Sequence, residues 1–315
     1  MAEGTATGVI GDVAGFLKPL RWWVKSWWLS NISHADAGRP RLWPEAGADA
    51  DYTVYIVDAW VPPPAGNLTR TVHVYTNAPS VRLWLNNQLV GETAVAYWGQ
   101  AMFPAVRYES GNLTAEAVTD IGSRVGLQTI QTPGAAHQLQ LTIMSPSPAT
   151  GTGVALVADG QDTAMVSAQI VDSAGHPISP QDPKAALNIT FSIVSGGGRV
   201  LGIHSGTPHG AIDGNLQSNP EGYAAHYGMV MAFVQSTEIC IGTQDERSLL
   251  RSIHVDLGID GTSFVPSGTN CGTELPIVVR ATAPGLVAGL IDIPLTTDRS
   301  HLPLAVAKRS SLQGN

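Results

Sequence analysis

Charge is scarce in this chain: only 13% of its 315 residues are Asp, Glu, Lys or Arg, and the formal net charge is −8. The basic residues form no cluster beyond Lys308-Arg309, so the chain offers no electrostatic footprint for nucleic acid or for an anionic membrane. Long apolar runs are missing as well. None approaches the roughly 20 residues that a bilayer-spanning helix needs, so a soluble chain without a membrane partner is expected. Residues 1–30 lack the basic leader, apolar core and small-residue cleavage site of a signal peptide, because the pairs Trp22-Trp23 and Trp27-Trp28 sit among Arg21 and Lys25. Cysteine is limited to Cys240 and Cys271, which excludes a dense disulfide framework and leaves either one bridge between them or two unpaired thiols. No H-E-x-x-H, G-x-S-x-G elbow or phosphate-binding loop occurs, and His176, His204, His209, His226 and His254 show no metal-ligand spacing. Neither a metal nor another cofactor is expected.

What the chain does have is enough apolar sequence, 43%, to build packed cores. Its 34 Gly and 21 Pro follow no period and read as punctuation between many short strands, which predicts an all-β architecture. The length suits two ordinary domains. N-x-S/T sequons stand at Asn31, Asn67, Asn112 and Asn188, more than the Ser/Thr content alone would produce, and point to a secretory or extracellular location for the full-length protein.

Along the chain, residues 15–29 carry Leu20, Trp23, Val24, Trp27 and Trp28 at three- and four-residue spacings, with Pro19 suited to a first helical turn. The spacing predicts an aromatic-faced helix that is too short to stand alone and must pack either on the sandwich that follows or on a domain outside the chain, the second being the preferred partner. From Tyr52 the period changes to two. Strands are predicted over 53–57, 71–76, 81–91, 103–108, 113–118 and 126–132, with a hairpin turn at Asn86-Asn87 and a loop at Pro62-Pro63-Pro64. Pro133-Gly134 closes this first sandwich. A second begins at His137 and continues through 165–172, 188–194, 229–234, 276–283 and 288–295, with the stretch between Cys240 and Cys271 read as an insertion.

Several of these segments resemble one known family. GVIGDVAGFLK (Gly8 to Lys18) and the following WWVKSWW are similar to the GIIDLAGFPK segment and aromatic helix that end the catalytic barrel of family 2 glycoside hydrolases, although Leu17-Lys18-Pro19 departs from the usual Pro-Lys. VHVYTNAPSVRLWLNN (Val72 to Asn87) resembles the V-x-V-Y-T-N-x-x-x-V-x-L-x-L-N-G core of the sandwich that follows in β-galactosidase-type members, with Asn87 in place of glycine. FPAVRYESGNLTAEAV (103–118), TIQTPGAAHQLQLT (129–142), VADGQDTAMVSAQIVDSAGHPI (157–178), FSIVSGGGRVLGIHSGTPH (191–209) and ATAPGLVAGLIDI (281–293) resemble later family segments in the same order. Here His204-Ser205-Gly206-Thr207 replaces the family's Asn-Gly-Asp turn.

The resemblance implies an all-β fold of two tandem immunoglobulin-like β-sandwiches, preceded by a short remnant, loop plus last helix, of a (β/α)8 barrel. The implied domains are residues 1–35 for the remnant, 36–135 and 136–305 for the sandwiches, with the insertion at about 240–272, and 306–315 for a tail. It further implies a non-catalytic accessory region of a glycosidase that hydrolyses O-glycosyl bonds. Both catalytic glutamates of the family would lie upstream of Met1, so the expected partner is an upstream catalytic barrel, and no catalytic residue is assigned within the chain. Glu109, Glu116, Asp120, Asp159 and Asp162 read instead as solvated loop or strand-edge charge. Trp22, Trp23, Trp27 and Trp28 are the candidates for contact with that barrel or with a sugar ring. The alternative reading is a stand-alone carbohydrate-binding β-sandwich module.

Overall fold

The computed structural model describes residues 10–12, 14–28, 52–63, 67–95, 99–148, 151–158, 160–206, 222–240, 263–265 and 275–296. The readings for Asn31, Cys271, His209, His254, Asp159 and the 306–315 tail fall outside these residues, and Cys240 is described only as the end of a strand. The described chain is nearly all β, with one α-helix and nineteen strands. It divides into two compact units, Met1–Ala135 with Asp172–Asp182 and Gly206–Pro208, and Ala136–Val171 with Pro183–Ser205 and His209–Asn315.

The first unit opens with α1 (Leu20–Trp28), followed by β1 (Val54–Ile56), β2 (Thr69–Thr76), β3 (Ser80–Leu85), β4 (Gln88–Ala94), β5 (Gln100–Arg107), β6 (Asn112–Val118) and β7 (Arg124–Gln131). They form two antiparallel sheets, ordered β1-β2-β5 and β4-β3-β6-β7. The alternation along β3 sorts its side chains: Val81, Leu83 and Leu85 are buried, while Ser80, Arg82 and Trp84 lie on the other face. Ile56, Val72, Val74 and Phe103 from one sheet and Val81, Leu83, Leu113 and Ala115 from the other share a single core with Trp60. Trp60 is fully buried and its indole N–H donates to the Glu109 carbonyl at 2.9 Å, which satisfies the one polar atom it carries inward.

The β3–β4 turn is the hairpin expected from Asn86-Asn87, both residues having positive φ, 50° and 66°. Asn86 also works sideways. Its side-chain oxygen accepts from the Asn112 amide at 2.9 Å and its Nδ2 donates to the Ser110 carbonyl, so it occupies the space where any Cβ on Gly111 would stand. Asn77 plays a similar part at the β2–β3 turn: fully buried, it accepts the Thr53 amide at 2.7 Å and ties the approach to β1 to that turn.

The second unit contains β8 (Gln138–Ser145), β9 (Leu156–Val157), β10 (Thr163–Val171), β11 (Asn188–Ser195), β12 (Gly198–His204), β13 (Tyr223–Ala224), β14 (Met229–Ser236), β15 (Glu238–Cys240), β16 (Ser263–Val265), β17 (Ile277–Thr282), β18 (Gly289–Ile293) and β19 (Leu295–Thr296). Its four-stranded sheets run β12-β14-β10-β8 and β13-β11-β17-β18, and two short parallel pairs, β15 with β16 and β19 with β9, flank them. Val166, Ala232 and Val234 from the first sheet meet Ile277, Val279 and Ile293 from the second in one apolar cluster. The β15–β16 pair lies at and inside the stretch that reads from sequence as an insertion.

Candidate functional site

The aromatic helix is positioned by a short capped loop. Asp12 Oδ1 accepts the amides of Ala14 (2.9 Å) and Phe16 (3.0 Å), Lys18 N–H returns to the Ile10 carbonyl at 2.8 Å, and Ala14 and Phe16 are buried. Gly15 has φ 89°, a conformation that suits glycine. Residues 15–18 belong to this loop, and α1 starts directly after Pro19, as a proline suited to a first helical turn implies. Within α1, Ser26 is the buried residue, with its hydroxyl donating to the Trp23 carbonyl at 2.7 Å.

The four tryptophans do not act as one face. Trp22 stacks on Tyr55 of β1, with ring centroids 5.4 Å apart and planes 17° from parallel, and carries the Arg21 guanidinium 4.2 Å and the Lys25 ammonium 5.7 Å from its ring centroid. Trp23 and Trp27 meet edge to face at 5.8 Å. Trp28 is 77% exposed. Trp22 thus anchors the helix on the β-unit that follows it, one of the two partners open from sequence, through Tyr55, which reads as an ordinary strand residue. Tyr55 sits opposite Tyr75 in the β1–β2 ladder. Burial pushes the Tyr55 hydroxyl pKa up, with Tyr75 adding to the rise and Arg21 opposing it, and burial followed by the Asp58 charge raises Tyr75. Both phenols therefore stay neutral, as packing groups do. Asp58 itself accepts from the backbone N–H of His73 at 2.8 Å and lies 2.9 Å from its Nδ1.

Each described carboxylate considered in the sequence has a structural address. Glu116 accepts the Trp84 indole N–H at 2.9 Å and lies 3.7 Å from Arg82, while Glu92 accepts from Arg82 Nε at 2.8 Å and from Ser80. The Arg82 hydrogen bond, aided by Ser80 and opposed by burial, lowers the Glu92 pKa. Around the single Arg82 guanidinium the two glutamates form an ion network. Asp162 closes a turn by accepting the amides of Val157 and Thr163. Glu109 contributes its backbone carbonyl to Trp60, and Asp120 is exposed.

The D-x-x-G turn pattern at Asp172 is visible in the sequence, but nothing in it marks the residue as a site. Its carboxylate is buried and accepts from Gly134 N–H (2.8 Å), Ala174 N–H and His176 N–H (2.9 Å each), with His176 Nδ1 at 3.3 Å. Burial alone would raise its pKa, but these donors outweigh burial and lower it to about 2. His204 rests against Tyr223 and His226 against Tyr227. Among the described residues no three His, Cys, Asp or Glu side chains converge as a metal site. The described sequon residues Asn67, Asn112 and Asn188 are all exposed.

Comparison with known proteins places these features in a family context. Residues 68–126 match the family described as "Domain of unknown function (DUF4982)". A beta-glucuronidase of Formosa agariphila is 28% identical over 216 residues, which is 66% of this chain and 20% of that protein. Among solved structures, a beta-glycosidase from Bacteroides vulgatus aligns with a TM-score of 0.59 at 19% identity, covering 90% of this chain and 27% of the other. A glycosyl hydrolase family 2 member from Bacteroides cellulosilyticus aligns at 0.58 and 20% identity, covering 91% and 32%. The chain thus spans a fifth of the length of its curated relative and under a third of those structures. Together with the ordered motifs from Gly8 to Ile293, these likenesses relate the chain to a C-terminal region of family 2 glycoside hydrolases.

Proposed function

We propose that this chain is the non-catalytic C-terminal accessory region of a family 2 glycoside hydrolase, structurally supporting a catalytic barrel that precedes it. In this reading its two units are tandem immunoglobulin-like sandwiches, and the Asp12-capped loop with α1 is the end of the barrel. The observation that carries the reading is α1 itself. Trp22 fastens the helix to β1, while Trp28, 77% exposed, presents a large apolar ring on the same short helix, the arrangement expected of an element shared between two bodies. The Glu92–Arg82–Glu116 network supports it as well, since these carboxylates are paired with an arginine and with the Trp84 indole on the sheet surface.

The size of the native polypeptide tests this reading. An antibody raised against the chain should detect, in the source cells, a product several times larger than 33.0 kDa, with an open frame upstream of Met1 encoding a strand followed by W-T-G-F-D-Y-like residues. A native product of 33 kDa, together with a stop codon and promoter immediately upstream, would overturn it.

A further inference from the structure

The outward face of the β4-β3-β6-β7 sheet carries an ordered array that the accessory role does not call upon. In register across three strands, Glu92, Arg82 and Glu116 form one row; in the next, Trp84, Thr114 and Thr129 lie side by side on β3, β6 and β7. Every member is fixed by a neighbour. Arg82 is held by Glu92 at 2.8 Å, Glu116 receives the Trp84 indole N–H at 2.9 Å, and the Thr114 and Thr129 hydroxyls bond at 2.8 Å. The array reaches solvent towards its edges: the side chains of Glu92, Arg82 and Glu116 are 44%, 28% and 14% exposed, Trp84 is half-buried and Thr129 exposed.

We propose that this face binds a neutral oligosaccharide, with the Trp84 ring as its platform. Four strands about 4.8 Å apart make a strip about 14 Å wide, broad enough for a short glycan laid across them. An aromatic ring held in place by its own N–H offers a flat apolar surface for the C–H face of a pyranose, and locking it beforehand spares the entropy of ordering it on binding. The flanking hydroxyls and carboxylate oxygens keep spare acceptor sites for sugar hydroxyls. Charge chooses the class of glycan. Two carboxylates face one guanidinium, leaving the array one unit negative, so a neutral chain fits it and a polyuronate is repelled. Leu89 on β4 and Leu127 on β7, 53% and 55% exposed, stand in the same rows beside Trp84 and Glu116 and widen the apolar surface available to the C–H faces of sugar units.

Electrophoresis of the full chain through gels containing soluble polysaccharide tests the proposal, with galactomannan and hydroxyethylcellulose as neutral probes and polygalacturonate as the anionic one. At least one neutral probe should retard the wild-type chain and polygalacturonate should not; Trp84→Ala should weaken retention about tenfold, and Met102→Ala, at a 53% exposed position on the other sheet of the unit, should leave it unchanged. Should Trp84→Ala disturb folding, seen as a lowered melting temperature, Thr129→Lys at its exposed site must produce the same loss. The proposal is overturned if neither neutral probe retards the chain, if polygalacturonate retards it more strongly, or if retention survives in a folded Trp84→Ala or Thr129→Lys protein.

Discussion

Leu83→Ala is expected to destabilise the first unit by about 3 kcal/mol, within the range of roughly 2 to 5 kcal/mol for a buried leucine cut back to its β-carbon. Leu83 has no solvent exposure, stands opposite Gly91 and Ala115 in the ladders on either side, and belongs to the core shared by both sheets of that unit. Its small cross-strand neighbours cannot swing in to refill the space, so most of the cavity should persist. Leu89→Ala supplies the contrast. That leucine is 53% exposed on the adjacent strand, and its loss should stay within about 0.5 kcal/mol. A convenient readout exists because all eight tryptophans lie between Trp22 and Trp98, within the first unit, so denaturant titration followed by tryptophan fluorescence reports on that unit alone. Equal midpoints for the two variants would contradict the assignment of the β3 inner face.

The second large effect is expected at Asp172. With the folded pKa near 2 against an ordinary 3.8, the carboxylate contributes stability that is fully present above pH 3.8 and is lost as the pH falls towards 2. The difference corresponds to about 2 kcal/mol. Asp172→Asn should cost about that much at neutral pH, because one carboxylate oxygen becomes an NH2 facing the donors that oxygen accepts. The variant should also lose part of the acid sensitivity: wild-type and Asp172→Asn midpoints, well separated at pH 7, should converge near pH 2. Because Asp172–Asp182 clusters with the first unit, the same fluorescence readout applies. A constant gap between the two proteins from pH 7 to pH 2 would show that the carboxylate charge contributes nothing.

The period-two runs made most strands legible, and the reasons are local. β2, β3 and β6 alternate cleanly between core and surface, and Asn86-Asn87 announces its turn because few residues other than asparagine and glycine take positive φ readily. β12 is hidden in the sequence because Gly196-Gly197-Gly198 and Gly202 look like turn residues; its pairing with β14 overrides them and buries Ile203 and His204. The helix is legible from Pro19 and the periodic residues Leu20 to Trp28, and the loop before it is held by the Asp12 side chain accepting the amides of Ala14 and Phe16. The docking of α1 on Tyr55 is a tertiary ring contact between helix and strand, and the meeting of Glu92, Arg82 and Glu116 depends on cross-strand register. Hydrophobic period reveals which face a residue takes and is silent about which residue will stand beside it.

The central claim, that this chain accompanies glycoside hydrolysis without performing it, is tested most directly by assaying the purified chain against a panel of aryl β-glucuronides, β-galactosides and β-glucosides. The account predicts release no faster than a heat-killed control on every member of the panel. Turnover well above that control, abolished by replacing a single glutamate within the chain such as Glu116→Gln, would contradict it.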